Sequence, residues 1–306
     1  GFAAWWQVSK RVFQRWLEVQ SPTMAAGLAF RALMTLFPIL LASMAIIGLL
    51  AEPEQLLAWL QPLLDALPEQ ASSVIETNAE RIADLPVFSL SASLAVALLV
   101  GLWSLGNGIL ALMGMYNAIY RQEETRPFYK VRGIATLLGM ILVFAAIVAG
   151  LVMIALPQVF DFLQLSWLMV PLNIGRYLAI VLLLLAIQAC LGRYAVNRRS
   201  PRWEWLTPGS MIGVLLWVLA SALFDWYLES HARVDRIYGA LAGFVILALW
   251  LQISISALLI GAFYNAELEF QTELDSTVGP DRPPGERGAY VADHSAHEGE
   301  KEERGN

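Results

Sequence analysis

Apolar residues in this chain come in long unbroken runs rather than in helical or alternating patterns. From Ala32 to Ala51 no residue is charged, and only Thr35 and Ser43 carry polar side chains. Those twenty residues, at about 1.5 Å of helical rise each, cover roughly the 30 Å of a bilayer's hydrocarbon core. A soluble amphipathic helix would return to a polar side chain every third or fourth position. The pattern therefore predicts a first membrane-spanning helix within Met24 to Ala51. Arg31 interrupts its beginning, and Pro38 is tolerable where neighbouring groups re-satisfy the freed carbonyl. Five further runs follow. One is uncharged from Leu85 to Tyr120, with a core of residues 92–113; the others cover 134–156, 168–192, 206–224 and 237–266. In the fourth run, Arg176 is the only charge between Asp161 and Arg193. The sixth is long enough to tilt or to project from the bilayer.

The segments between runs have their own patterns. Phe2, Trp5, Trp6, Val12, Phe13, Trp16 and Leu17 recur at helical spacing, and Lys10, Arg11, Gln14, Arg15 and Glu18 take the other face. Tryptophan beside basic residues suits the headgroup region, which favours a helix lying on the membrane before the first span. A helix packed on a protein core is the alternative. Residues 52–84 form the longest polar insertion, with seven acids and one base. Leu56, Leu57, Leu60, Leu64 and Leu67 make one apolar stripe there, and Val74, Ile75, Ile82 and Leu85 a second. These read as short amphipathic helices capping the outer side. The resulting expectation is an all-α polytopic membrane protein. It has an N-terminal interfacial amphipathic helix (1–20), six transmembrane helices (21–267, with a periplasmic helical cap at 52–84) and an acidic disordered cytoplasmic tail (268–306).

Composition agrees with a membrane protein. The chain is 58% hydrophobic and 15% charged, with mean hydropathy +0.57, whereas soluble domains are about 45–50% apolar and about 25% charged. The net charge of −6 arises mostly in the tail, where residues 267–306 carry eleven acids against four bases. The remainder is close to neutral, so no global basic surface invites nucleic acid. Basic residues also set the orientation. The N-terminal segment, the second-to-third loop, the fourth-to-fifth loop and the tail hold 3, 4, 4 and 4 bases. The alternate loops hold only Arg81, Arg233 and Arg236. Both termini are therefore expected in the cytoplasm. The tail after residue 275, rich in Pro, Gly, Glu and Asp, is expected to be disordered. The single Cys190 permits no intramolecular disulfide.

Catalytic chemistry has little to stand on. The three histidines, His231, His294 and His297, fall in an outer loop and the tail, whereas a catalytic zinc site needs three convergent ligands. No P-loop, GxSxG or HExxH occurs, so no nucleotide motif supplies energy. The expectation is a non-enzyme with no metal, no cofactor and no catalytic residue. Polar groups within the apolar runs are the informative ones: Arg31, Asn107, Arg176 and Asp225 are the candidate substrate-binding residues. Charges at membrane depth are costly and face a bundle interior or a wet cavity. The competing readings are that Arg31 and Arg176 snorkel to headgroups, that Asn107 bridges two helices, and that Asp225 pairs with Arg233 or Arg236. Gly101, Gly106 and Gly108 in the second span, and Gly239 with Gly243 in the sixth, mark expected close helix approaches.

Several stretches resemble the YihY/virulence factor BrkB family of bacterial inner-membrane proteins. They are AAGLAFRALMTLFPILL (25–41), Trp103 to Pro127 ending in YNAIYRQEETRP, RRSPRWEWLTPGS (198–210) leading into LLWVLASALFDWYL, IYGALAGFVILALW (237–250) and LLIGAFYNAELE (258–269). Trp103, Asn117, Arg126, Pro127, Trp203, Pro208, Gly209, Tyr238, Gly239 and Gly261 stand out as its structural motif positions. Two departures matter. The family commonly has an aromatic or aliphatic residue where Arg31 sits, and an acid where Phe263 sits; Glu267, one turn on, is the candidate replacement. The resemblance implies six helices with cytoplasmic termini but no established mechanism. Members have been called a tRNA-processing ribonuclease. This sequence argues against that, because no metal ligands or acid–base pair for hydrolysis are visible. They have also been linked to virulence and to movement of lipids or other solutes.

The functional expectation is a transporter-like inner-membrane protein for a lipid or other amphipathic substrate. The alternative is a non-transporting membrane scaffold that recruits partners through its tail or outer cap. Expected partners are membrane lipids, an anionic lipid or amphipathic substrate among them, and no nucleic acid; the oligomeric state stays open.

Overall fold

The structure, a computed structural model, describes residues 2–50, 87–162, 169–198, 207–230, 240–271 and Tyr290. Among these residues there are seven α-helices and no strand: α1 (Phe2–Glu18), α2 (Ser21–Leu50), α3 (Val87–Ile119), α4 (Phe128–Phe162), α5 (Met169–Cys190), α6 (Pro208–Ser230) and α7 (Ala240–Phe270). A π-helical turn, Leu191–Ala195, continues α5. The six helices after α1 are long and apolar enough to cross a membrane, with spans at Ser21–Ala42, Ser91–Ile119, Phe128–Gly150, Ile174–Ala195, Pro208–Leu228 and Gly243–Phe270. The expected outer cap at 52–84, the arginines Arg233 and Arg236, the motif positions Trp203, Tyr238 and Gly239, and the tail after residue 271 apart from Tyr290 lie outside the described residues.

The chain forms two compact units. One comprises Gly1–Leu28, Ile109–Phe224 and Gln252–Asn306; the other comprises Ala29–Gly108 and Asp225–Leu251.

In the second unit, α2 and α3 pack antiparallel in a fixed register. The Cβ of Arg31 lies 3.9 Å from where a Cβ on Gly108 would be. One turn along, Thr35 Oγ1 is 3.2 Å from Ser104 Oγ. Further on, the Cβ of Pro38 lies 3.3 Å from the position of a Cβ on Gly101. Gly101, Ser104 and Gly108 are thus three and four residues apart, one face of a helix, and their small size admits the bulkier α2 face. The Thr35 hydroxyl also donates to the Arg31 carbonyl at 2.8 Å, satisfying itself without water. Phe37 of α2 and Phe244 of α7 meet at 6.5 Å between ring centroids.

In the first unit, α6 and α7 touch through glycine. A Cβ on Gly261 would lie 2.7 Å from the Gly209 carbonyl oxygen and 2.9 Å from Gly213 Cα. A Cβ on Gly213 would meet Gly261 Cα at 3.0 Å. Main chain runs against main chain here, which only glycine permits. The close pair on α6 is therefore Gly209 with Gly213, at GxxxG spacing. Of the GxxxG expected at Gly239 and Gly243, Gly239 lies outside the described residues, and a Cβ on Gly243 would meet nothing within 4 Å among the described residues.

Two helix ends stop on left-handed residues other than glycine. Gln20 (φ 53°) ends α1 and Arg121 (φ 56°) follows α3. After α3, the N–H of Gln122 bonds the Asn117 carbonyl at 2.8 Å and that of Arg121 the Ala118 carbonyl at 3.3 Å. This is the Schellman pattern, which usually places glycine where Arg121 stands. A side chain there costs roughly 1–2 kcal/mol.

Candidate functional site

The first unit concentrates its polar side chains where α1, the end of α3, the turn after α5, the start of α6 and the end of α7 come together. Each of the four termini involved leaves backbone groups that need partners. At α6, Thr207 precedes the helix and its Oγ1 accepts from the Ser210 N–H at 3.4 Å. Pro208 occupies the first position, where no N–H is needed. The next donor, the Gly209 N–H, goes to Asn265 Oδ1 of α7 at 2.9 Å. Asn265 Nδ2 in turn donates to Ser210 Oγ at 3.1 Å. Pro208, Gly209 and Gly261 thereby belong to one joint: a capped helix start that has no Cβ to keep α7 away.

Asn117 organises the loop after α3. Its Nδ2 donates to Glu124 Oε2 at 2.9 Å, and its Oδ1 accepts from the Asn197 N–H at 2.7 Å. Arg126 grips the same carboxylate with two nitrogens, Nε to Oε1 at 2.7 Å and Nη2 to Oε2 at 2.6 Å. Its Nη2 also donates to the Ala195 carbonyl at 3.1 Å. A cation therefore closes the end of the π-helical turn, where free carbonyls concentrate negative potential. The Arg126 hydrogen bonds, helped by Asn117, hold the Glu124 carboxyl below its ordinary range against partial burial. Pro127 begins α4, its carbonyl accepting from the N–H groups of Lys130 and Val131 at 2.9 and 3.2 Å.

Two acids of α7 form the charged centre. Glu267 is 2% exposed and takes two arginines from different elements: Arg11 Nε of α1 at 3.1 Å and Arg121 Nη2 at 2.9 Å. The left-handed backbone at Arg121 aims that side chain, whose guanidinium also stacks on Phe270 at 4.3 Å. Glu269 holds Arg198 Nη1 at 2.8 Å from both oxygens, and Arg198 lies over the Tyr120 ring at 4.3 Å. Burial opposes the Arg198 charge, but Glu269 more than restores it, so its pKa stands above the ordinary guanidinium value. Burial pushes the Tyr120 phenol up to about 12, so it stays neutral. Phe263, where an acid was expected from the resemblance, is fully buried and meets Trp16 edge-on at 5.7 Å. Glu267, one turn on, carries the charge instead.

The first helix contacts the rest of its unit through residues of both faces. Arg11 reaches Glu267, Arg15 Nη2 donates to the Ala118 carbonyl at 3.0 Å, and Ser9 Oγ pairs with Tyr264 Oη at 3.0 Å. Val8 and Val12 are buried beside them, while Trp5, Trp6, Phe13 and Leu17 are exposed. Arg11 and Arg15 of the polar face supply protein contacts, because two carbonyl- and carboxylate-bearing helix ends offer them partners, while Lys10, Gln14 and Glu18 of the same face are exposed. Only Lys10 of the α1 bases is exposed.

Deeper in the first unit, Gln188 of α5 lies against the α6–α7 glycine crossing. Its Nε2 donates to the Leu258 carbonyl at 3.1 Å, and its Oε1 accepts from Tyr116 Oη at 3.3 Å. Neither Gln188 nor Tyr116 stood out in the sequence as more than an isolated polar residue in an apolar run; a glutamine mid-span was the available signal.

The four candidate substrate-binding residues are divided between the two units. Arg176 is half-buried in α5 of the first unit and engaged with neighbours. Asn107, half-buried and engaged, belongs to α3 of the second unit. Asp225, in that unit too, is exposed; its expected partners Arg233 and Arg236 lie outside the described residues. Arg31 is exposed on α2, beside Gly108. Trp103 is exposed on α3. Among the described residues no three His, Cys, Asp or Glu side chains gather to hold a metal ion.

The chain is similar to the putative ribonuclease-like protein YfkH of Bacillus subtilis, 26% identical over 90% of this chain and 98% of that protein. It is also similar to UPF0761 membrane proteins of Xanthomonas campestris and Xanthomonas axonopodis, each 25% identical over 82% of this chain. It spans only 58% of the length of those Xanthomonas relatives. No solved structure matches it. The family model described as Virulence factor BrkB matches residues 12–285, most of the chain and, of the charged joint, all but Arg11. This multi-pass membrane protein belongs to the Virulence factor BrkB family.

Proposed function

We propose that the protein is transporter-like, moving a lipid or other amphipathic molecule across a bacterial inner membrane, with both termini in the cytoplasm. The observation that carries this reading is the way the first unit is fastened. Glu267 is shared by arginines of α1 and of the loop after α3, and Glu269 holds Arg198 of the turn after α5. Buried ion pairs are poor sources of stability, and apolar replacements often serve as well or better. Their value is in specifying one arrangement that can be released and remade. A carboxylate with two competing cations suits elements that part and rejoin, as alternating access requires. A permanent scaffold needs no such fastening.

The test is lipid movement in proteoliposomes carrying a fluorescent phospholipid, with dithionite quenching of the outer leaflet. Faster leaflet exchange than in protein-free vesicles, and a changed rate in Glu267→Gln, is the expected result. Folded parent protein that moves no lipid would favour the scaffold. A ribonuclease reading, suggested by the name of the Bacillus relative, has no gathered donor set to rest on among the described residues.

A further inference from the structure

Most arginines described so far have an acid or a helix-end carbonyl to answer them. Among the described residues Arg31 has neither. It lies in the first half of α2 (Ser21–Leu50), directly before the charge-free run Ala32 to Ala51, so it stands near one end of the first span. Its side chain is exposed, and among the described residues no carboxylate pairs with it.

The surroundings show what would answer the charge. Gly108 leaves the Arg31 stem a place against α3, so the root of the side chain is held by protein while its head stays accessible. One turn away, Thr35 and Ser104 are already satisfied by each other and by the Arg31 carbonyl, so they do not compete for the guanidinium. On the same two helices Phe30, Phe37, Leu40, Val96 and Leu99 are exposed, a surface suited to acyl chains. A fixed guanidinium amid acyl-compatible surface matches a phosphate oxyanion, which takes two parallel N–H bonds from the planar fork.

We infer that Arg31 is a binding site for a phosphate oxyanion, carried on a lipid headgroup or supplied as free phosphate. This deepens the transport reading by naming the substrate's recognised group and rests on that reading only for the consequence of binding, not for binding itself.

The experiment measures binding at equilibrium. Purified protein in zwitterionic detergent is titrated with fluorescent phosphatidylglycerol and fluorescent phosphatidylcholine. The parent is expected to prefer phosphatidylglycerol, and Arg31→Leu to lose that preference roughly tenfold or more, as for loss of charge-assisted hydrogen bonds. Arg31→Lys, which keeps the charge but not the fork, falls between. Unchanged helical circular dichroism establishes that each variant is folded. Lys130→Gln removes an exposed cation elsewhere and is expected to leave the preference intact. Equal preference in parent and Arg31→Leu, or an equal loss in Lys130→Gln, overturns the site. Competition with inorganic phosphate distinguishes the sources: displacement at millimolar concentration identifies a free-phosphate site, and retention of the lipid identifies a headgroup site. Leaflet exchange is read separately. Selective binding through Arg31 without exchange would remove the transport reading and leave the site standing; exchange without Arg31-dependent binding would do the reverse.

Discussion

The two units use the same amino acids to opposite ends. In the first, arginine is an internal connector: Arg11, Arg121, Arg126 and Arg198 each bind a carboxylate from another helix or from the adjoining loop. In the second, the packing of α2 on α3 relies on small residues, and Arg31 stands outside any ion pair among the described residues. Glycine divides the same way. Gly209, Gly213 and Gly261 bring main chains together, while Gly243 faces open space. Residue type alone therefore does not reveal role in an apolar helix; what sits opposite does.

The comparison breaks most sharply at the glycine crossing. Gly261→Leu forces a side chain into the Gly209 carbonyl, Gln188 and the Gly213 main chain. Backbone cannot retreat as a flexible side chain can, so the loss should exceed about 3 kcal/mol, the upper end of ordinary overpacking. Detergent-solubilised protein should then unfold or lose its monodisperse elution profile; a parent-like melting curve would show that α6 and α7 do not meet this closely.

Next in size is Glu267→Ala. It leaves two guanidiniums facing each other, but Arg11 and Arg121 are 24% and 22% exposed and can partly rehydrate. The cost should be about 2–3 kcal/mol, below the range of about 3–5 kcal/mol for a fully buried pair. Adding Arg11→Met to that variant should recover part of the loss. Strict additivity in the double-mutant cycle would mean the two side chains are not coupled.

Glu124 sharpens the comparison through pH. Its folded pKa is depressed below the ordinary 4.5, so its contribution is present above that value and lost as pH falls through the lower, folded one. Between neutral pH and that point the parent should hold its stability, then lose it in stronger acid. Glu124→Gln should start less stable and show a shallower acid decline. Chemical denaturation at a series of pH values reads both slopes, and parallel slopes would count against the Arg126 and Asn117 hydrogen bonds.

The smallest effect is expected at Gly243→Ala, which meets nothing within 4 Å. Restoring a methyl group inside a helix should leave stability unchanged or raise it by up to about 1 kcal/mol. A marked loss would place a neighbour against α7 there.

Helix number and extent followed from the apolar runs because a bilayer imposes a length that sequence alone displays. The Thr207-Pro208-Gly209-Ser210 start of α6 is local capping chemistry, which the apolar run, beginning at 206, does not display. What stayed hidden was pairing between distant segments. Nothing local distinguishes Gly213 from Gly243, or tells Arg11, which is drawn inward, from Lys10, which stays exposed. Glu267 could be marked as an odd acid near the end of a span, but its two partners come from positions 256 and 146 residues away. For α1, periodicity identified two faces without saying which residues of either the rest of the first unit would contact.

That separation of 256 residues between Arg11 and Glu267 also has a meaning in time. A chain is synthesised from its N-terminus at about 5–20 residues per second, so Arg11 emerges on the order of ten seconds or more before its carboxylate exists. Throughout that interval the guanidinium is a hydrated or lipid-bound charge, available to bias which way the nascent chain is threaded. Only when the last helix arrives does the cation change employment, from signpost during insertion to fastener in the finished molecule.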